Sequence, residues 1–200
     1  MNRFQFTFNW KDTPEGPVLT TERLVLRPWR DEDRPGFAAL NADPHVVEFL
    51  PNPLSREQSD AVVLQVRQHF AQHGFGFWPD EAPGNVELNA SMGLNHVPFE
   101  AHFTPKIEIG WRLAHAYWGQ GYATEAARAA LRYGFERLEL NEIVAFTAPA
   151  NQRSRNVMER LGMRRDPADD FEHPDLEPGH PLRPHVLYRL RSDEFAAASE

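Results

Sequence analysis

Apolar positions switch along the chain between a period near 3.6, the mark of helices, and short or alternating runs, the mark of strands. Leu24-Val25-Leu26 reads as a strand, reached from Thr20-Thr21 and stopped by Pro28. Asp31 to Ala42 has acids in its first turn and ends at Asp43-Pro44, which predicts a helix. Ser55 and Gln58 form a capping box ahead of Val62, Val63, Val66 and Phe70 at helical spacing, and Gly74 stops that helix. Phe75 to Trp78, Leu88 to Leu94 and Lys106 to Leu113 read as three strands. A glycine turn and a long helix to about Leu138 follow, with Ala123, Ala127, Ala130, Leu131, Gly134, Phe135 and Leu138 on its apolar face. The strand Ile143 to Thr147, a short helix from Asn151 to Leu161 and a late strand Val186 to Leu190 complete the order. Mixed strands and helices without a repeat predict one three-layer α/β domain.

Composition narrows the chemistry. The 200 residues are 41% hydrophobic and 25% charged, ordinary for a globular domain. There is no cysteine, which excludes disulfides, zinc-thiolate sites, Fe–S clusters and a cysteine nucleophile. Twenty-one basic against 29 acidic residues leave a net charge of −8. That balance opposes a nucleic-acid backbone and suits a cationic partner. No apolar run approaches the roughly 20 residues of a membrane-spanning helix, so no membrane partner is expected. The opening MNRFQFTFNWKDTPEGP has no apolar core or cleavage site, and a cytoplasmic location is the default expectation.

The strongest local signal is Tyr117-Trp118-Gly119-Gln120-Gly121-Tyr122-Ala123-Thr124, between the strand ending at Leu113 and the long helix. Glycines at 119 and 121 permit positive φ and close backbone approach, so amides and the helix dipole converge on an anion such as a diphosphate. A tight turn alone would also use Gly-x-Gly. A Walker loop is excluded because no Gly-Lys-Ser/Thr occurs, and a dinucleotide fingerprint is opposed by Thr124 at the third glycine position. Downstream, NQRSRNVMERLGM places Asn151 as a cap, Val157, Met158 and Leu161 as an apolar stripe, and Gly162 as a stop. Taken alone it is a capped surface helix.

Together with LTTERLVLRPWRDED at the start and IEIGWRL before the glycine loop, these blocks resemble the Gcn5-related N-acetyltransferase (GNAT) superfamily, nearest its RimJ/RimL type. The resemblance runs from Leu19 to Leu190. It implies a central, mostly antiparallel sheet of about seven strands, splayed at the acetyl-CoA site and flanked by helices. It also implies a domain over 19–192, with 1–18 as an extension and 193–200 as a tail.

The implied activity is direct transfer of acetyl from acetyl-CoA, as co-substrate, to a primary amine on a protein N-terminus or a small molecule. The alternative is a non-catalytic acyl-CoA sensor on the same fold. Trp118, Gly119, Gln120, Gly121, Tyr122, Ala123 and Thr124 would face the diphosphate. Trp111, Arg112 and Leu113 would pair with the pantetheine arm, Asn151 would hydrogen-bond it, and Asn156 would line the same cleft. Where many members carry a tyrosine acid this chain has Met158, so Ser154 takes the role facing the leaving thiolate.

Strand alternation sets Glu108 on the opposite face from Ile107 and Ile109, which makes it the first candidate base. An ordinary paired strand glutamate is the competing reading, with His173 and His185 as other candidate bases. The acids of Asp166 to Glu177 would attract a cationic amine acceptor. His69 and His73 have metal-ligand spacing but no acidic neighbour on their face, so they read as surface histidines and no metal is expected. A monomer or homodimer fits equally.

Overall fold

The computed structural model describes residues 8–82, 86–87 and 90–199. In chain order, β1 (Phe8–Thr13), β2 (Gly16–Thr21) and β3 (Val25–Leu26) precede α1 (Asp33–Ala42) and α2 (Arg56–His73). Next come β4 (Phe77–Trp78), β5 (Asp80–Ala82), β6 (Val86–Glu87), β7 (Ala90–His96), β8 (Ile107–Leu113), α3 (Tyr122–Glu136) and β9 (Glu142–Thr147). The chain ends in α4 (Gln152–Arg160), β10 (Arg164–Arg165), β11 (Phe171–Glu172), β12 (Pro184–Arg191) and α5 (Ser192–Ser199).

The main sheet runs β10-β12-β9-β8-β7-β4, with β11 added on β12; a second, five-stranded sheet runs β1-β2-β3-β5-β6. Among the described residues every pairing is antiparallel except β8 with β9. Those two are joined through α3, and a helical crossover returns the chain parallel.

Helices cover both faces of the main sheet. On β8, Ile109 and Arg112 point to opposite faces. Ile109 and its partner Leu94 face α3, where a side chain added at Gly134 would meet Leu94 and Ile143 at 3.0 and 2.9 Å. The alanines 126, 127, 129 and 130 are fully buried, so a helix of small residues lies close on the sheet. Arg112 reaches Asn41 of α1 on the other face. Buried Asn41 in turn donates to Ser59 of α2 at 3.1 Å, which ties the two helices together. The capping box of α2 forms as its sequence dictates, with Gly74 left-handed at φ 75°. Trp78, Met92, Leu131 and Ile143 are fully enclosed, each worth roughly 1.5–3 kcal/mol of burial.

Several elements carry too little periodicity to read from sequence. Residues 8–18, expected as an extension, build β1 and half of β2. They are fixed against the core, because Trp10 packs edge-on against Tyr133 and the Pro17 carbonyl accepts from buried Trp78 at 2.9 Å. The expected C-terminal tail is α5, which sets Phe195 against Phe135. Of the predicted strand Leu88 to Leu94, residues 88 and 89 lie outside the described residues, and the strand continues to His96. Trp29 and Trp78 pack in the core. No helix among the described residues is long and apolar enough to cross a membrane.

Candidate active site

The sheet opens where β8 and β9 part. They pair only at Ile107 with Ile143 and Glu108 with Val144. Beyond that point β8 stays on β7 through Leu113, while β9 stays on β12 through Thr147. Alternate backbone groups of Ile109 to Leu113 therefore face a gap rather than a strand. The resulting cleft is about 930 Å³, with Trp111, Arg112 and Leu113 on one wall and Phe146 and Thr147 on the other. An extended arm laid in this gap can complete the missing ladder.

The glycine loop closes one end. Gly119 and Gly121 adopt φ of 76° and 83°, which a side chain disfavours, and a Cβ at Gly119 would meet nothing within 4 Å. Among the described residues no side chain caps α3. Its first-turn amides at Tyr122, Ala123 and Thr124, all lining the cleft, have no partner one turn back. Together with the helix dipole they form an anion-binding frame that fits a diphosphate. Trp118 contributes rigidity: its indole N–H donates to the Leu113 carbonyl at 2.7 Å, and the Arg153 guanidinium lies 4.6 Å over its ring. Gln120 departs from expectation. It does not line the cleft, because its amide turns back to the Ala116 carbonyl, while its own carbonyl accepts from Arg23 at 2.9 Å.

Asn151 caps α4: its Oδ1 accepts from the Ser154 N–H at 3.2 Å and its Nδ2 donates to Thr147 Oγ1 at 3.0 Å. One amide hydrogen and one lone pair remain for a ligand. The Ser154 hydroxyl makes no hydrogen bond to the described residues, and the side chain lines the cleft beside Asn156, Val157 and buried Met158. Asn156 accepts from Gln152 at 2.7 Å.

Glu108 lies at the last paired position before the strands part, facing the cleft. In register it sits beside Val144, part of a second apolar cluster with Phe103, Phe146 and Phe171. Burial in these surroundings raises its carboxyl to about 7, against the opposing hydrogen bond from Asn95. A carboxylate poised there can take a proton at neutral pH. Arg112, further along the same strand with its side chain toward α1, is lowered by burial to about 10.

The other predicted groups fall elsewhere. The acidic segment does not line the cleft, and arginines neutralise much of it: Arg189 pairs with Asp169, Arg165 with Asp170 and Arg183 with Glu172. Asp166 caps a short turn through the Ala168 N–H. Paired acids of this kind offer little field to a distant amine. His173 and His185 lie 5.0 Å apart behind Phe146, outside the cleft lining, and burial lowers both. Lys106 is held by Glu142 at 3.0 Å.

Of the cations of the cleft, sequence reading found Arg112 and missed four others. Arg23, Arg128, Arg153 and Arg160 line it, although the chain is acidic overall. Arg23 binds Glu125 of α3 at 2.6 Å and stacks over Tyr122 at 4.7 Å, so the segment before β3 braces the anion frame. Arg153, Asn156, Val157 and Arg160 share one face at helical spacing, a pattern that would have exposed two of these cations.

The Acetyltransferase (GNAT) domain profile matches residues 23–164. An uncharacterized N-acetyltransferase of Bacillus subtilis (strain 168), YnaD, is 31% identical over 149 residues, covering 74% of this chain and 83% of that protein. The FsC-acetyl coenzyme A-N(2)-transacetylase of Aspergillus fumigatus is 34% identical over 156 residues, 74% of this chain and 65% of its own. The crystal structure of a GNAT-family acetyltransferase from Bacillus anthracis superposes with a TM-score of 0.73 at 25% identity, over 88% of this chain and 99% of that one. With the splayed sheet and the uncapped glycine loop in place, the chain belongs to the GNAT acetyltransferase family and is an acetyl-CoA-dependent acetyltransferase.

Proposed function

We propose that the acceptor is a primary amine, acetylated directly from acetyl-CoA. The observation that carries this reading is Glu108, a half-buried carboxylate at the point of strand separation whose carboxyl is raised to about 7. An ammonium must lose its proton before its nitrogen can attack, and a base of matched affinity within the cleft is what that step requires. In the reaction Glu108 takes the ammonium proton, the amine nitrogen bonds to the thioester carbonyl carbon, and as the carbon–sulfur bond breaks the nitrogen's second proton goes to the departing sulfur, leaving the amide and free thiol. The Ser154 hydroxyl donates a hydrogen bond to the departing thiolate. Backbone amides of Gly119 to Thr124 hold the diphosphate, in a loop that Arg23 braces through Glu125 and the Gln120 carbonyl. The free edge of Trp111 to Leu113 and the Asn151 amide hold the pantetheine arm.

A cationic acceptor is met by the cleft's own carboxylates, Glu22 and Glu108, since Glu125 is engaged by Arg23 and Thr21. Within the family we place the chain in the RimJ/RimL type, on its opening LTTERLVLRPWRDED and its YWGQGYATEA loop. The test is thiol release from acetyl-CoA against peptides with free N-termini, amino acids, polyamines and aminoglycosides. At least one amine class raises release above background and is recovered acetylated on nitrogen. Acetyl-CoA binding with no amine-stimulated release across the panel would refute the reading.

A further inference from the structure

The histidine pair that sequence spacing left as surface residues acquires a third member in the fold. His69 and His73 lie four residues apart in the last turns of α2, with ring centroids 4.5 Å apart. β7 ends at His96, whose ring is 4.4 Å from His73 and 5.2 Å from His69. One ring nitrogen from each of the three lies within 4.8 Å of the others, and among the described residues no carboxylate joins the cluster. None of the three lines the acyl cleft.

We propose that His69, His73 and His96 form a binding site for a divalent transition ion of the Zn²⁺ class, separate from the acetyl-transfer cleft. Hydrogen bonding supplies the first argument. His69 Nδ1 lies 2.7 Å from the Phe75 carbonyl, which only accepts, so Nδ1 carries the proton and Nε2 presents a lone pair. A ring held by its far nitrogen on a carbonyl has the arrangement that orients a metal-binding histidine. That Nε2 accepts a hydrogen bond from His96 Nδ1 at 3.0 Å, a proton that an ion between the two nitrogens would displace.

Geometry supplies the second argument. Three nitrogens on one tetrahedral ion, each at about 2.0–2.1 Å, stand about 3.3 Å from one another. The His69–His96 separation of 3.0 Å is close to that value, all three nitrogens lie within 4.8 Å of one another, and His73 and His96 are exposed enough to adjust. Phe75 contacts all three rings, at 5.0, 6.1 and 5.4 Å, and gives the site an apolar floor. The carbonyl end of α2 favours positive charge at this position. Neutral imidazoles without thiolates or carboxylates suit Zn²⁺, Cu²⁺, Ni²⁺ or Co²⁺ rather than Mg²⁺ or Ca²⁺. Water would fill the remaining position, and the ion would pin the end of α2 to the end of β7. The neighbouring Asn95 pairs with Glu108 across the strands, which sets this pin one residue from the support of the cleft carboxylate.

The test uses untagged full-length protein, freed of metal by chelator and titrated calorimetrically with ZnCl2 and, in parallel, CoCl2. One equivalent binds with Kd of about 10 µM or tighter. Co²⁺ gives the visible bands of a tetrahedral nitrogen and oxygen site, with no thiolate charge transfer because the chain has no cysteine. Zn²⁺ at a hundredfold excess over Kd raises the unfolding midpoint by about 5–10 °C. His73→Gln and His96→Gln, at exposed positions that leave the fold intact, each weaken binding by about tenfold or more. His173→Gln with His185→Gln, at a histidine pair elsewhere in the fold, leaves it unchanged. Binding weaker than about 100 µM, or binding insensitive to His96→Gln, or binding lost only in the His173 and His185 variant, would overturn the proposal.

Discussion

Replacing Glu108 by Gln separates what this carboxylate costs the fold from what it does for the reaction. The group ionises near 4.5 in an unfolded chain and at about 7 in the native one, because the folded protein strips its water. Between those values the native state holds a proton that the unfolded state has lost, so stability falls as pH rises from about 4.5 to 7 and is level above. The difference amounts to about 3 kcal/mol by pH 8. A glutamine side chain has similar volume, keeps an oxygen for the Asn95 bond and carries no charge. The Glu108→Gln variant is therefore close to wild type in stability at pH 4.5 and more stable by up to about 3 kcal/mol at pH 8, or roughly 6–12 °C in midpoint. Thermal and urea unfolding of both proteins at pH 5, 6, 7 and 8 reads this directly. Over the same range the wild-type kcat/KM climbs with pH to a plateau above about 7, and the variant loses about 10²–10³ in kcat with a nearly unchanged KM for acetyl-CoA. Parallel stability curves for the two proteins, or a variant less stable at pH 8, would refute the burial argument. Unaltered turnover would refute the role as base.

Ser154→Ala lowers kcat by about 10–100-fold through loss of the hydrogen bond to the leaving sulfur, while the dissociation constant of acetyl-CoA, measured by equilibrium binding, stays the same. Gly121→Ala forces a side chain into φ 83° with its Cβ 3.3 Å from Arg23. It costs about 1–2 kcal/mol of strain and raises the KM for acetyl-CoA, since the amides it displaces are those of the anion frame. Gly93→Ala, at φ 154° and against the Gly76 carbonyl, destabilises by more than about 2 kcal/mol in urea unfolding without touching the cleft.

The boundary between what was legible and what was not follows the range of the interactions. Capping, periodicity and glycine backbone freedom act within one turn. So the α2 capping box, the left-handed Gly74, the alanine face of α3 and the glycine loop at its start could all be read from neighbouring residues. The cap at Asn151 and the alternation that aims Glu108 away from the core were readable for the same reason. The β1 hairpin escaped, because Trp10, with Phe8 beside it, finds its cover against the core only in Tyr133, more than a hundred positions later. Charge pairing is equally long-range. The acidic run from Asp166 looked available for an amine, but Arg189 and Arg183 fold back onto it, while arginines scattered from 23 to 160 gather around the cleft of an acidic protein. Composition alone set the net charge and excluded cysteine chemistry. Where β8 leaves β9, how far burial lifts Glu108, and whether His96 joins His69 and His73 depend on packing between distant segments, which only the tertiary structure decides.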